Sequence, residues 1–154
     1  MTAAAVLREA LQELGKTLET VLDLDEDGEC QLDTGAGDEI LISAIDEMDM
    51  VCLLVPLLTV SEAQRERLLQ EALMINLDLT LTGATRIGHD GEGLVLCNAA
   101  PAEGLDADVL WASVETTILL GREIREHLQS GGTVDETVST LDLSYPLSTN
   151  HIRG

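Results

Sequence analysis

Chemistry would be sought first at Asp23-Leu24-Asp25-Glu26-Asp27-Gly28. Carboxylates at loop positions 1, 3 and 5 with a glycine at 6 open a calcium loop, because a hard cation wants several oxygens and the chain must turn sharply at position 6. The match then fails: position 12 falls on Thr34, where a bidentate Glu is needed, and a strand-like stretch follows where a helix should. An acidic β-turn is the reading that remains. His89, His127 and His151 are not paired at metal-ligand spacing, and neither HExxH nor CxxC occurs. Cys30, Cys52 and Cys97 are odd in number, far apart, and each inside a strand-like run. That suits small buried hydrophobes with reduced thiols rather than a disulfide framework, a zinc site or an activated nucleophile. Gly35 and Gly37 lack the following Lys of a phosphate loop, and no GxGxxG is present. Carboxylates are so abundant that no pair stands out as an acid–base dyad. The residues point to no catalytic site, metal or cofactor.

What positions these residues is one domain's worth of chain, 154 residues. Lys and Arg total 8 against 29 Asp and Glu, a net charge of −21. Nucleic acid and anionic membrane surfaces need clustered cations and are excluded as partners on that ground. Disorder is excluded by the 45 % hydrophobic content, which supplies the burial that ordering entropy demands. Aromatics are only Trp111 and Tyr145, so Leu, Ile, Val, Met and Ala must build the core. No run reaches the ~18–20 apolar residues of a membrane span, and the N-terminus lacks a signal peptide's basic start and apolar stretch. A reduced, cytoplasmic protein is expected.

Leu7, Leu11, Leu14 and Leu18 follow the helical period, so residues 2–18 read as an amphipathic helix whose last turn Gly15 ends or loosens. Cys30 and Leu32 alternate with polar neighbours, Gly35 to Asp38 is turn chemistry, and Ile40–Ile45 and Met50–Leu58 read as further strands of an antiparallel meander. The last is apolar on both faces and so central, with a bulge or strand end at Pro56. Ser61 and Gln64 form a capping box ahead of a helix to about Asn76. Leu77, Leu79 and Leu81 then show a period of two. Strands 83–88 and 93–98 flank a hairpin at His89–Glu92. Asp106 is a suitable N-cap for a final helix to about Leu128, in which Gly121 marks close approach of another element. The expected fold is α+β, an antiparallel sheet flanked by helices in the order α-β-β-β-α-β-β-α. Residues 1–128 form the domain and 129–154 a flexible tail, in which Leu141, Leu143, Tyr145 and Leu147 alternate.

Apolar positions exceed what one small sheet with short helices can hide. Two readings stay open: a plain homodimer interface, or a dimer with further apolar grooves for an extended partner chain.

Several strings bear on the choice: Leu14-Gly15; Leu24-Asp25-Glu26-Asp27-Gly28-Glu29-Cys30; Val55-Pro56-Leu57; Leu73 to Leu77; and Gly83-Ala84-Thr85-Arg86-Ile87-Gly88. With the acidity and element order, they make residues 5–128 resemble the class I type III secretion chaperones, the CesT-like family of Gram-negative bacteria. The resemblance implies a homodimeric, non-enzymatic chaperone. It would hold the N-terminal region of a secreted effector extended, keep it soluble, and deliver it to the secretion ATPase. A regulatory protein-binding domain of the same fold, without an export role, is the alternative. The resemblance points to Leu69, Leu73, Leu77 and Leu79 for the dimer interface. For the effector it points to Leu7, Leu11, Leu14, Leu41 and Leu53, so that a charge at Leu7 or Leu11 should cost binding and spare folding.

Overall fold

A computed structural model describes residues 1–131. Helix α1 (Ala3–Thr17) is followed by β1 (Glu29–Asp33), β2 (Glu39–Ile45), β3 (Met50–Thr59), α2 (Arg65–Leu77), the one-turn helix α3 (Leu79–Thr82), β4 (Thr85–His89), β5 (Gly93–Pro101) and α4 (Ala107–Gln129). The strands form one antiparallel sheet in the order β1-β2-β3-β5-β4. The fold class and the central place of β3 are as expected. Residues 132–154, with most of the expected tail, its alternating Leu and Tyr positions and His151, lie outside the described residues.

The sheet's alternation decides where the helices sit. Val51, Leu53, Val55 and Leu57 of β3, Ile40 and Ile42 of β2, and Leu94 and Leu96 of β5 are buried. They share one face with the Leu7–Leu11–Leu14 stripe of α1 and with Leu110, Val114, Ile124 and Leu128 of α4 in a single core. Gly121 is the contact point: a Cβ there would stand 3.0 Å from Val55 Cγ1, so the missing side chain lets α4 lie directly on β3. Gly15 does not end α1, which runs on to Thr17. The chain folds back over it, and a Cβ would meet Thr20 O at 2.7 Å.

The turns are set by short polar side chains. Thr2 Oγ1 accepts from Ala5 N–H, and Asp46 Oδ1 accepts from Ala4 N–H at 2.8 Å, so the acidic turn after β2 satisfies an orphan donor at the start of α1. Asp106 Oδ1 caps α4 through Val109 N–H. Two local expectations are corrected. The Ser61–Gln64 box does not cap α2. A 3₁₀ turn, Glu62–Gln64, intervenes, and Ser61 Oγ turns to the Gln64 side chain. The two-residue period over Leu77–Leu81 is not a strand. Asp78 Oδ1 accepts from Thr80 N–H and Leu81 N–H and starts α3 instead, a local competition that Asp wins against extended backbone.

Candidate interaction surface

Glu29, Gln31 and Asp33 of β1, Leu41 and Ser43 of β2, Cys52, Leu54 and Pro56 of β3, Val95, Cys97 and Ala99 of β5, and Arg86 and Gly88 of β4 share the second face by register. Among the described residues no helix packs there. Leu41, Leu54, Val95 and Cys97 are half-buried and Pro56 is exposed. Together with Gln31, Glu39, Gly88, His89 and Asp90 they line a shallow depression of about 320 Å³. Its floor is apolar and its rim polar and acidic.

Arg125 holds one end of this face. The register slips between Pro56 and Leu58, which leaves main-chain carbonyls without a ladder partner. Arg125 Nε donates to Leu57 O at 2.6 Å and its Nη2 to Pro56 O at 2.7 Å. The same guanidinium, with that of Arg122, pairs with Asp38 from the β1–β2 turn. These hydrogen bonds, Arg122's first, hold the Asp38 carboxyl below the usual carboxylate range against the opposing effect of burial. At the bulge a Cβ on Gly93 would run into Leu58 O, so only glycine fits opposite it.

The two sheet edges differ. On β4, Asn76 of α2 mimics a neighbouring strand: its Oδ1 accepts from Ile87 N–H at 2.7 Å and its Nδ2 donates to Ile87 O at 2.9 Å. The Arg86 guanidinium donates to Thr85 O. This edge is occupied from within. On β1, Asp25 takes both main-chain groups of Glu29, with Oδ1 accepting the Glu29 N–H and its own N–H donating to Glu29 O. Antiparallel alternation then directs the main-chain groups of exposed Gln31 away from β2, toward solvent.

A second apolar surface lies on α2 and α3. Leu73 is 66 %, Leu77 83 % and Leu79 63 % exposed, with Met74 beside them. Leu69 is half-buried against the core.

The expected site residues therefore divide. Leu73, Leu77 and Leu79 are each exposed on α2 and α3, and Leu41 lies on the open face. Leu7, Leu11, Leu14 and Leu53 do not belong with them. Leu7 and Leu11 are fully buried and the other two nearly so, because their stripe faces the core side of the sheet. No partner can touch them without opening the domain, and helix 1 offers no groove through these residues. The acidic string 23–28 is a turn: Asp25 Oδ1 is committed to Asp27 N–H and Glu29 N–H, and no group of three or more metal-ligating side chains exists among the described residues. Sequence reasoning missed three features. The Arg122–Asp38–Arg125 cluster had a faint signal, two of only eight cations placed i, i+3 on one helix. Asn76 at the edge of β4 had none beyond its type. Cys52 and Cys97, far apart in sequence, are close in space: their Sγ atoms are 3.3 Å apart, and both thiols are free.

With this geometry in hand, comparison with known proteins is decisive for ancestry. The family model of the Tir chaperone protein (CesT) family matches residues 9–125. The chain belongs to the CesT family. That family is one of chaperones, not of enzymes. No curated protein sequence matches it significantly. Among solved structures, a chain of the HopA1–SchA chaperone–effector complex matches at TM-score 0.66 and 19 % identity, over 80 % of this chain and 96 % of that one. A chain of the ExsC–ExsE complex matches at 0.64 and 16 %, over 77 % and 90 %. The ExoT–SpcS complex from Pseudomonas aeruginosa gives 0.56 and 19 %, over 77 % and 96 %. At these identities the structures establish the fold, the same α+β sheet with helices. Among the described residues, no helix of this CesT-family chain is long and apolar enough to cross a membrane.

Proposed function

We propose that this chain holds the N-terminal region of a secreted effector in extended form against the open face of its sheet, in the bacterial cytoplasm. The observation that carries the reading is the apolar floor of that face, Leu41, Leu54, Pro56 and Val95, left without a covering element among the described residues. Ordering a client costs about 1–2 kcal/mol of backbone entropy per residue. A buried anchor side chain returns about 1.5–3 kcal/mol. Side-chain pockets alone barely break even, so main-chain bonds at the open β1 edge around Gln31 complete the binding. The resemblance of the chain to complexes described as chaperone–effector assemblies supports the same assignment.

Two copies associate through Leu73, Leu77 and Leu79, with Leu69 beneath them. Three Leu side chains that exposed on the successive helices α2 and α3 favour cover in water. The dimer presents its clients to the secretion ATPase.

The test pairs two variants. Leu41→Glu with Leu54→Glu removes retention of a purified, unfolded N-terminal effector fragment while leaving the thermal transition in place. Leu77→Asp with Leu79→Asp leaves a folded monomer by light scattering. Normal fragment binding by the first variant overturns the groove, and an unchanged dimer in the second overturns the interface.

A further inference from the structure

We propose that Cys52 and Cys97 are a reversible two-electron redox pair on the open face of the sheet, closed to a disulfide by hydrogen peroxide. This chemistry stands apart from client binding and does not rest on it.

The register makes the pair. Cys52 lies opposite Ala99 and Cys97 opposite Leu54 on the two adjoining central strands β3 and β5, so both thiols rise from the same face as diagonal neighbours. Their sulfurs are 3.3 Å apart. A disulfide requires ~2.0 Å between the sulfurs, so closure takes rotation of both side chains and a small approach of β3 and β5 at this diagonal. Cys30 cannot compete. It belongs to the core side of the sheet with Ile42 and Leu53.

The two thiols are not equivalent. Cys97 lines the depression and is half-buried, within reach of a small oxidant. Cys52 is buried, and desolvation first, then its neighbour Cys97, pushes its thiol up to about 12. Cys97 therefore attacks and Cys52 resolves. The Cys97 thiolate attacks one peroxide oxygen. An S–O bond forms, the O–O bond breaks, and hydroxide leaves to be protonated to water. The Cys52 sulfur then attacks the Cys97 sulfenic acid. The S–S bond forms, the S–O bond breaks, and the departing hydroxide takes the Cys52 proton as a second water. Two thiols are oxidised by two electrons and one hydrogen peroxide is reduced to two waters. A dithiol reverses the bond by exchange. Closure ties β3 to β5 covalently and removes a thiol from the floor between Leu54 and Val95.

The experiment treats the reduced full-length chain with hydrogen peroxide, blocks remaining thiols, and reads intact mass and peptide map. The expected result is loss of two hydrogens, a fall from three titratable thiols to one, a Cys52–Cys97 cross-linked peptide, and an upward shift of the thermal transition that dithiothreitol reverses. Cys30→Ser keeps the cross-link, whereas Cys97→Ser and Cys52→Ser lose it and carry oxygen adducts or stay unchanged. Should a serine variant fail to fold, the peptide map of the natural chain decides alone. Oxygen addition without the cross-link, or only intermolecular links, overturns the proposal and leaves two packing residues.

Discussion

Asp38 concentrates the chain's few cations on one carboxylate. It is almost wholly buried, yet Arg122 and Arg125 both reach it, and Arg125 goes on to the carbonyls of Pro56 and Leu57. Removing the negative charge leaves two guanidinium groups less well paired beside a bulge. Asp38→Asn should cost about 1–3 kcal/mol in urea unfolding. The pH dependence has a definite sign. Because the folded carboxyl sits below its ordinary value of 3.8, its contribution is fully present above that value and is lost as pH falls through the lower folded value. The variant's stability should therefore fall less steeply than the natural chain's below about pH 4, and identical acid limbs would remove Asp38 from the account. Leu11 supplies the second test at this scale. A groove residue would tolerate a charge, but Leu11 is fully buried between α1 and the sheet. Leu11→Asp should abolish cooperative unfolding by circular dichroism, and Leu11→Ala should cost about 2–5 kcal/mol. A folded Leu11→Asp protein that merely lost its client would reverse that assignment.

Elements with a clean period are legible in the sequence. The Leu stripe of α1, the two-sided run of β3, the Asp106 cap and Gly121 all appear where their chemistry placed them. What periodicity could not say is which side a stripe faces. Leu7, Leu11 and Leu14 mark an apolar helix face equally well for a core or a groove, and only the contact with β2 and α4 makes it core. The Leu77–Leu81 segment failed for another reason: alternation over five residues is weak beside one Asp side chain that collects two backbone donors. Of the interface residues to which the family resemblance points, Leu73, Leu77 and Leu79 are exposed and Leu69 is half-buried. Asn76 was invisible as a functional residue, since its role depends on β4 lying alongside. Its carboxamide closes the β4 edge, which otherwise presents a strand to any passing chain. Asn76→Ala should cost about 1–3 kcal/mol and speed hydrogen exchange at Ile87. It should also promote self-association, seen in sedimentation at rising concentration. Unchanged exchange at Ile87 would mean that the edge is protected by something other than Asn76.

At the scale of the molecule, charge and apolar surface act in opposition, and salt separates them. Each chain carries −21, so in the proposed dimer two copies would meet against their own repulsion, with burial of Leu73, Leu77 and Leu79 as the opposing attraction. The open face has an acidic rim, with Glu39 and Asp90 at the depression, so a client bound there as proposed would be favoured by Lys or Arg in its segment. Screening shortens from ~8 Å at physiological ionic strength to ~3 Å at 1 M salt. Repulsion between copies then fades while burial of Leu persists, so the dimer should tighten. Attraction between the acidic rim and a basic client fades over the same range, so client affinity should fall. The two equilibria thus run in opposite directions along one salt series. Sedimentation equilibrium of the chain alone reads the first, and fluorescence anisotropy of a labelled basic peptide reads the second. A dimer that dissociates as salt rises would place ion pairs, not Leu73, Leu77 and Leu79, at the interface. A client affinity that does not change would leave the acidic rim as a solubility device, with the apolar floor alone selecting the client.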